Sequence, residues 1–224
     1  MIPVHDDGGT PRSAPSTLLA TTRVVAVLRA AHAREYAPVI EALERGGVRS
    51  IELTLSTAGV FEELPVLLER FGSAVEIVVG TVTSAREAEA ALDRGSAFVV
   101  TPTTDPAVVT ACTRRKVPVY PGGLTPTELH TGWQAGATAV KVFPASVVGP
   151  GYLAQLRGPF PDLEIVPSGG VSIDDAPAWI AAGALAVSLG GPLLGDAFAG
   201  GDLSELTARA RRVRALVDQV GEER

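Results

Sequence analysis

The sequence has few lysines, a single cysteine and no uninterrupted apolar segment long enough to span a membrane. Of the 19 lysines and arginines among its 224 residues, only Lys116 and Lys141 are lysines. Cys112 has no second cysteine with which to form an intramolecular disulfide. The first residues lack the apolar core of a signal peptide, and together with the cysteine content this indicates a cytoplasmic protein.

The distribution of charged residues and histidines argues against several kinds of binding partner. The net charge is -6 and no extended basic run is present, so neither nucleic acid nor an anionic membrane surface is a predicted partner. Between Asp175 and Asp196 the chain is uncharged, but prolines and glycines interrupt this stretch. His5, His32 and His130 do not have the spacing of metal ligands, so no metal site is predicted.

Short runs rich in valine, isoleucine and alanine alternate with amphipathic segments after residue 22, which predicts repeated βα units. Eight such units in this length predict an α/β protein with a single (β/α)8 TIM barrel. Residues 18–224 form the predicted barrel domain, and residues 1–17 form a predicted flexible tail. The predicted strands are Val24-Leu28, Ser50-Leu55, Glu76-Thr81, Ala97-Thr101, Val117-Tyr120, Ala139-Phe143, Glu164-Pro167 and Ala184-Leu189.

Two predicted strands carry a charged residue among apolar neighbours. Period-two alternation turns Glu52, Thr54 and Ser56 away from the helices, and the same alternation turns Lys141 inward. A buried carboxylate and a buried amine need each other or take part in chemistry. A desolvated lysine can lose its proton and act as a nucleophile, which an arginine cannot do. A purely structural ion pair is the alternative that this pattern leaves open.

Other predicted strands end in groups that suit an anionic substrate. Arg29 follows the first strand and Thr81 ends the third, and such side chains bind carboxylates. The Ser168-Gly169-Gly170 turn and the Gly190-Gly191 pair expose backbone N–H groups that can hold an oxyanion or a phosphate. Each group also has an ordinary explanation, namely a backbone bend or a solvated arginine.

From about Arg23 to Val217 the chain resembles the 2-keto-3-deoxy-6-phosphogluconate aldolases and their 4-hydroxy-2-oxoglutarate and 2-keto-3-deoxy-6-phosphogalactonate relatives. The resemblance implies that Lys141 forms a Schiff base, that Glu52 transfers protons and that Thr81 contacts the pyruvyl carboxylate. It also implies that Gly169 and Gly170 face the distal end of the substrate. It is carried by Gly46-Gly47-Val48, Ile51-Glu52-Leu53-Thr54-Leu55, Gly80-Thr81-Val82, Thr101-Pro102, Tyr120-Pro121-Gly122, Lys141-Val142-Phe143-Pro144-Ala145 and Ser168-Gly169-Gly170-Val171.

The resemblance also implies a function and an assembly. We expect a class I aldolase that cleaves a 2-keto-3-deoxy-6-phospho sugar acid to pyruvate and an aldehyde such as glyceraldehyde 3-phosphate. Such an enzyme needs no cofactor and has a small 2-keto acid as its substrate. Family members are typically cytoplasmic homotrimers. Pro102 and Phe143 lie in two of the matching segments and are further substrate-binding candidates.

Two positions depart from the family pattern. Gluconate-type enzymes carry an arginine where this chain has Ser56, whereas galactonate-type relatives carry one after the first strand, as Arg29 does here. Relatives that hold phosphate commonly show a serine where this chain has Pro192, and proline removes both a hydroxyl and an N–H donor. These departures favour the galactonate-type branch and predict a weakened preference for phosphate.

Several other functions fit the same residues. The chain could be an aldolase for unphosphorylated acids such as 4-hydroxy-2-oxoglutarate, or one whose aldehyde is unrelated to sugars. A phosphate-binding barrel isomerase or epimerase could use Glu52 and Lys141 as an acid/base pair without a covalent adduct. A non-catalytic sugar-acid binding protein could retain the same groups.

Overall fold

The structure of the chain is a computed structural model in which residues 12–222 are described. These residues form nine strands and ten α-helices. The strands are β1 (Val24–Leu28), β2 (Ser50–Thr54), β3 (Glu76–Gly80), β4 (Val99–Val100), β5 (Val119–Tyr120), β6 (Gly122–Gly123), β7 (Val140–Val142), β8 (Ile165–Pro167) and β9 (Val187–Leu189). The helices are α1 (Thr17–Thr22), α2 (Tyr36–Arg45), α3 (Val60–Phe71), α4 (Ala85–Asp93), α5 (Pro106–Arg114), α6 (Pro126–Gln134), α7 (Gly151–Arg157), α8 (Ala176–Ala181), α9 (Gly191–Leu194) and α10 (Leu203–Glu222).

All strand pairs are parallel and form two sheets. One sheet has six strands in the order β5-β4-β3-β2-β1-β9, and the other has three in the order β6-β7-β8. Only Pro121 separates β5 from β6 along the chain. On the other side, Ser168 pairs with Ser188, and the Leu185 amide donates to the Ile165 carbonyl at 2.9 Å. The predicted α/β class is confirmed.

Inward side chains from both sheets meet in one apolar cluster, which shows that the strands curl around a common interior. This lower cluster consists of Leu19, Val25, Val78, Phe98, Val100, Tyr120, Ala139, Val166 and Ala186. Leu19 of α1 is buried in it. The alternate residues of the strands, such as Ile51 and Leu53, belong instead to the larger core against the helices. The period-two pattern therefore separates two faces, as predicted from the sequence.

Most strands are shorter than predicted, and at the starts of two of them a side-chain hydroxyl takes the place of a strand partner. Before β4, the Ser96 hydroxyl accepts from the Val79 amide and donates to the Phe98 carbonyl, so this strand covers only part of Ala97-Thr101. Before β7, the Val119 amide donates to the Thr138 hydroxyl. The additional strand β6 was not predicted, because Pro121 divides what otherwise continues from β5.

The predicted flexible tail comprised residues 1–17, and its residues 1–11 lie outside the described residues. From Arg12 onward the chain is attached to the domain. The Arg12 guanidinium lies 3.7 Å from the centroid of the Trp133 ring and donates to the carbonyls of Trp133 and Ala137. Ser16 then caps α1 by accepting from the Leu19 amide. Residues 12–17 are therefore held against the domain, and the domain boundary itself stays a prediction. None of the described helices is long and apolar enough to cross a membrane.

Candidate active site

A pocket of about 530 Å³ lies at the carboxyl ends of the strands. It brings together every residue predicted from the sequence to be catalytic or substrate-binding. These are Glu52, Lys141, Arg29, Thr81, Pro102, Phe143, Ser168, Gly169, Gly170, Gly190 and Gly191. Residues far apart in the chain therefore line one concave site, which is the arrangement expected for an enzyme.

Lys141 lies in the wall of this pocket on β7. It is paired with Gly122 of β6 and Val166 of β8, and it is only 7% exposed. Its ammonium nitrogen lies 4.0 Å from Oε1 of Glu52 and 5.3 Å from the centroid of the Phe143 ring. The two charges predicted to face each other are therefore neighbours, although they belong to different sheets.

Glu52 is 1% exposed and depends on a glycine in the next strand for its space. A Cβ atom at Gly80 would lie 1.9 Å from Oε1 of Glu52. Among the described residues, Oε1 has no hydrogen-bond partner. A buried carboxylate oxygen usually accepts several hydrogen bonds. Glu52 thus retains acceptor capacity beside an amine, which suits a proton carrier rather than a fully satisfied structural ion pair.

Three hydroxyl groups near Glu52 and Lys141 already donate hydrogen bonds within the protein. Thr54 donates to the Leu28 carbonyl at 2.9 Å, and Ser56 donates to Thr54 at 3.2 Å. Ser168 donates to Ser188 at 3.3 Å. Thr54 and Ser168 line the pocket, but Ser56 does not. Ser56 is therefore linked to the pocket lining through its hydrogen bond to Thr54.

Arg29 and Thr81 enter the pocket from the loops after β1 and β3. Arg29 is exposed and forms no ion pair with a carboxylate of the described chain. Thr81 has a φ of 59°, a left-handed conformation that is uncommon for a β-branched residue. Backbone strain of this kind persists where surrounding structure imposes it and occurs often at functional sites.

The turn after β8 packs closely against the segment that follows Lys141. Gly169 has a φ of 85°, and a Cβ there would lie 2.8 Å from the Phe143 ring. At Gly170, with a φ of 77°, a Cβ would lie 2.6 Å from Cβ of Ser146. Only glycine fits both constraints, so backbone rather than side chains forms this part of the pocket.

Comparison with known proteins agrees with this geometry. The aldolase family model described as "KDPG and KHG aldolase" matches residues 16–208. The chain belongs to this family.

The aldolase is 32% identical to a probable 2-dehydro-3-deoxy-6-phosphogalactonate aldolase of Rhizobium meliloti, over 88% of this chain and 92% of the relative. It is 29% identical to the 2-dehydro-3-deoxy-6-phosphogalactonate aldolase of Escherichia coli, over 83% of this chain and 89% of the relative.

Solved structures give the same result. A native KDPGal structure has a TM-score of 0.82 and 26% identity, and the match covers 89% of this chain and 96% of the other. A KDPG aldolase from Legionella pneumophila has a TM-score of 0.80 and 25% identity, with 88% and 96% covered. In that relative, pyruvate is captured as a covalent carbinolamine intermediate.

One wall of the aldolase pocket was missed by the sequence reasoning. Val27 lines the pocket two residues before Arg29, and strand alternation could have identified it. The other missed residues follow β9, where only Pro192 had drawn attention as a departure. These are Leu194, Gly195, Phe198 and Ala199. Phe198 packs edge-on against Tyr36, with ring centroids 5.8 Å apart.

Groups with strongly altered acidity lie away from the pocket. Burial raises the pKa of the Cys112 thiol to about 12, so this cysteine is inert in the folded aldolase. Burial, and then the nearby charge of Glu76, raises the pKa of the Tyr120 phenol, which stays protonated in the lower cluster. Within residues 12–222 no group of three or more metal-ligating side chains occurs.

Proposed function

We propose that this protein is a class I aldolase that cleaves a 2-keto-3-deoxy-6-phospho sugar acid, of gluconate or galactonate type, to pyruvate and an aldehyde such as glyceraldehyde 3-phosphate. The observation that carries the proposal is the burial of Lys141 beside Glu52 in a pocket large enough for a small acid. Relatives named for phosphogalactonate and phosphogluconate support the substrate class.

The proposed chemistry begins at Lys141. Its neutral amine adds to the C2 ketone of the substrate, and loss of water leaves an iminium ion that accepts electrons. Glu52 takes the proton of the C4 hydroxyl, so the C3–C4 bond breaks and the aldehyde leaves. Glu52 then returns that proton to C3 of the enamine. Hydrolysis of the resulting iminium releases pyruvate and restores the lysine.

Two parts of the pocket are proposed to bind the two ends of the substrate. Thr81 and Arg29 are proposed to hold the carboxylate next to the reacting ketone, because both line the pocket and Arg29 forms no ion pair within residues 12–222. Backbone N–H groups of Gly169, Gly170 and Gly190-Gly191 are proposed to hold the distal phosphate. The reaction uses no cofactor in this scheme.

The choice between substrates follows from two pocket positions. Arg29 lines the pocket and Ser56 does not, which favours a galactonate-type acid. Pro192 lines the distal part and offers no N–H donor, which favours a second candidate, an aldolase for unphosphorylated acids such as 4-hydroxy-2-oxoglutarate. Comparing kcat/KM for phosphorylated and free forms of the same acid decides between the two.

We also propose that the two sheets form one closed (β/α)8 barrel and that the enzyme is a cytoplasmic homotrimer. The contacts between Ser168 and Ser188 support closure. Val147 and Val148 are exposed apolar residues that a second copy would cover. A similar structure, with a TM-score of 0.82, is a protein cage designed by fusing symmetric oligomeric domains. Light scattering tests the assembly.

Reductive trapping tests the mechanism. Borohydride with pyruvate should add one reduced pyruvyl group to Lys141, and peptide mass mapping locates it. Lys116 is the internal control, because it is exposed and lies outside the pocket. The absence of an adduct contradicts the Schiff-base mechanism and favours an isomerase that forms no covalent intermediate. An adduct on Lys116 instead contradicts the assignment of Lys141.

A further inference from the structure

The pocket wall after β9 rests on a very short helix. Helix α9 is four residues long, and Gly190, Gly191, Pro192, Leu194 and Gly195 all line the pocket. The amides of Leu193 and Leu194 both donate to the Gly190 carbonyl at 3.0 Å. A single helical turn is marginal without other contacts. The orientation of this wall must therefore be fixed from outside the helix.

Arg209 of α10 provides such a contact at the end of α9. Its Nε donates to the Leu193 carbonyl at 2.7 Å, and its Nη2 donates to the Leu194 carbonyl at 2.9 Å. Both donors belong to one rigid planar fork, which fixes the direction of the two carbonyls together. Arg209 also lies 3.8 Å from Glu205, but that carboxylate is 69% exposed and contributes little.

Gly195 shows that the backbone is fitted closely around this arginine. Its φ of 56° and ψ of -125° suit glycine, and a Cβ there would lie 2.9 Å from Nη2 of Arg209. Helix α10 is itself firmly held, because Thr207 donates to the Ala42 carbonyl at 3.0 Å. Leu193 and Leu194 bury their side chains in the main core, and Arg209 connects the backbone of this pocket wall to a fixed helix.

Arg209 does not line the pocket, and the family match ends at residue 208. We propose that Arg209 is a positioning residue, which orients Gly190–Gly195 toward the part of the substrate remote from Lys141. This inference rests on the proposed aldolase function. It predicts that binding of the distal group and the reaction of the pyruvyl part respond separately to substitution, because Lys141 lies on β7.

Arg209→Gln and Arg209→Lys test the proposal, with Arg212→Gln as the matched control. Arg212 lies on the same helix in an exposed ion pair with Asp174. Arg209→Gln should lower kcat/KM for the 2-keto-3-deoxy-6-phospho acid by about 10- to 100-fold, mainly through KM, as a misplaced binding wall does. Arg209→Lys should recover part of this loss, because it retains one donor. Arg212→Gln should leave kcat/KM unchanged.

Two further measurements separate positioning from general damage. Exchange of pyruvate methyl protons without an aldehyde should stay within about twofold of wild type in Arg209→Gln, because it does not use the distal wall. Hydrogen exchange of the amides of residues 191–197 should become faster, and that of β7 should not. Equal losses in cleavage and pyruvate exchange, or unchanged amide exchange after Arg209→Gln, overturn the proposal.

The wild-type protein distinguishes failure of this proposal from failure of the proposed function. A wild type that neither cleaves the acid nor exchanges pyruvate protons refutes the aldolase function. Amide exchange then decides the structural role of Arg209 without any activity. Faster exchange limited to residues 191–197 supports the positioning role, and unchanged exchange contradicts it.

Discussion

The inward side chains of the strands form two layers that differ in chemistry although they lie on the same strands. Three strands change from apolar to polar in a step of two residues. These steps are Ala139 to Lys141, Val166 to Ser168 and Ala186 to Ser188. The lower layer is a closed apolar core, whereas the upper layer opens into the pocket. One inward face is thus apolar at its lower end and polar at its upper end.

The largest effect should come from removing the chemistry of the upper layer while keeping its shape. Glu52→Gln should lower turnover by about 10²- to 10⁴-fold, the range for a positioned acid or base. It should still form the imine with pyruvate, because Lys141 remains. Steady-state kinetics and borohydride trapping measure the two effects. Lys141→Ala is the control and should lose both. Near-normal turnover in Glu52→Gln means that the carboxylate is structural.

A smaller change beside the pair should have nearly as large an effect. Gly80→Ala places a methyl group where Oε1 of Glu52 lies, so the carboxylate must move away from Gly80 and change its position relative to Lys141. A displacement of about 1 Å at reacting groups can lower kcat/KM by about 10²-fold. Gly151→Ala is the matched control, since nothing lies within 4 Å of its added Cβ. Equal activity of the two variants means that Glu52 can move without consequence.

A substitution in the lower layer should lower the stability of the protein and leave its kcat unchanged. Leu19→Ala removes a fully buried side chain from the lower cluster and should reduce the free energy of unfolding by about 2–5 kcal/mol. Leu18→Ala changes a half-buried neighbour and should have a smaller effect. Urea unfolding measures both. The kcat of Leu19→Ala should match wild type well below its melting temperature, and a large loss of kcat contradicts the separation of the layers.

The smallest expected effect is a change in the pH dependence of stability, and it concerns Glu76. This residue lies at the start of β3, below the lower layer. Burial raises the pKa of Glu76, against opposing hydrogen bonds from Ser16 and Ser50. A raised carboxylate pKa makes ionisation unfavourable in the folded state, so stability is lost as pH rises from the unfolded pKa, about 4.3, through the folded pKa. Glu76→Gln should therefore be more stable than wild type at neutral pH, with no gain in acid. Urea unfolding at several pH values measures this.

Glu128→Gln is the control of opposite sign. Hydrogen bonds from the backbone of Thr125 and Leu124 lower the pKa of Glu128. Its stabilising contribution is present above the unfolded pKa and is lost as pH falls through the folded pKa. Glu128→Gln should therefore be less stable than wild type at neutral pH. The same pH response in both variants contradicts these assignments.

The inward direction of Glu52 and Lys141 followed from the sequence because alternation is strict within a strand. Strand lengths did not follow, and at the starts of β4 and β7 the hydroxyls of Ser96 and Thr138 replace strand partners only once the chain is folded. The wall formed by Leu194 and Phe198 also depends on tertiary contacts, and nothing in its local pattern predicts that the segment returns over the pocket. Local periodicity therefore predicted that Glu52 and Lys141 face inward, and it missed Leu194 and Phe198, which also line the pocket.

The pairing of β1 with β9 has a consequence during synthesis on the ribosome. Val24 is paired with Val187, so β1 cannot pair with β9 until the ribosome has added more than 160 further residues. Until then its edge is open, and contacts this distant in sequence form slowly. Lys141 has already left the ribosome at that stage, but the enclosure around it is incomplete. The nascent chain should therefore acquire activity only after its last strand has emerged.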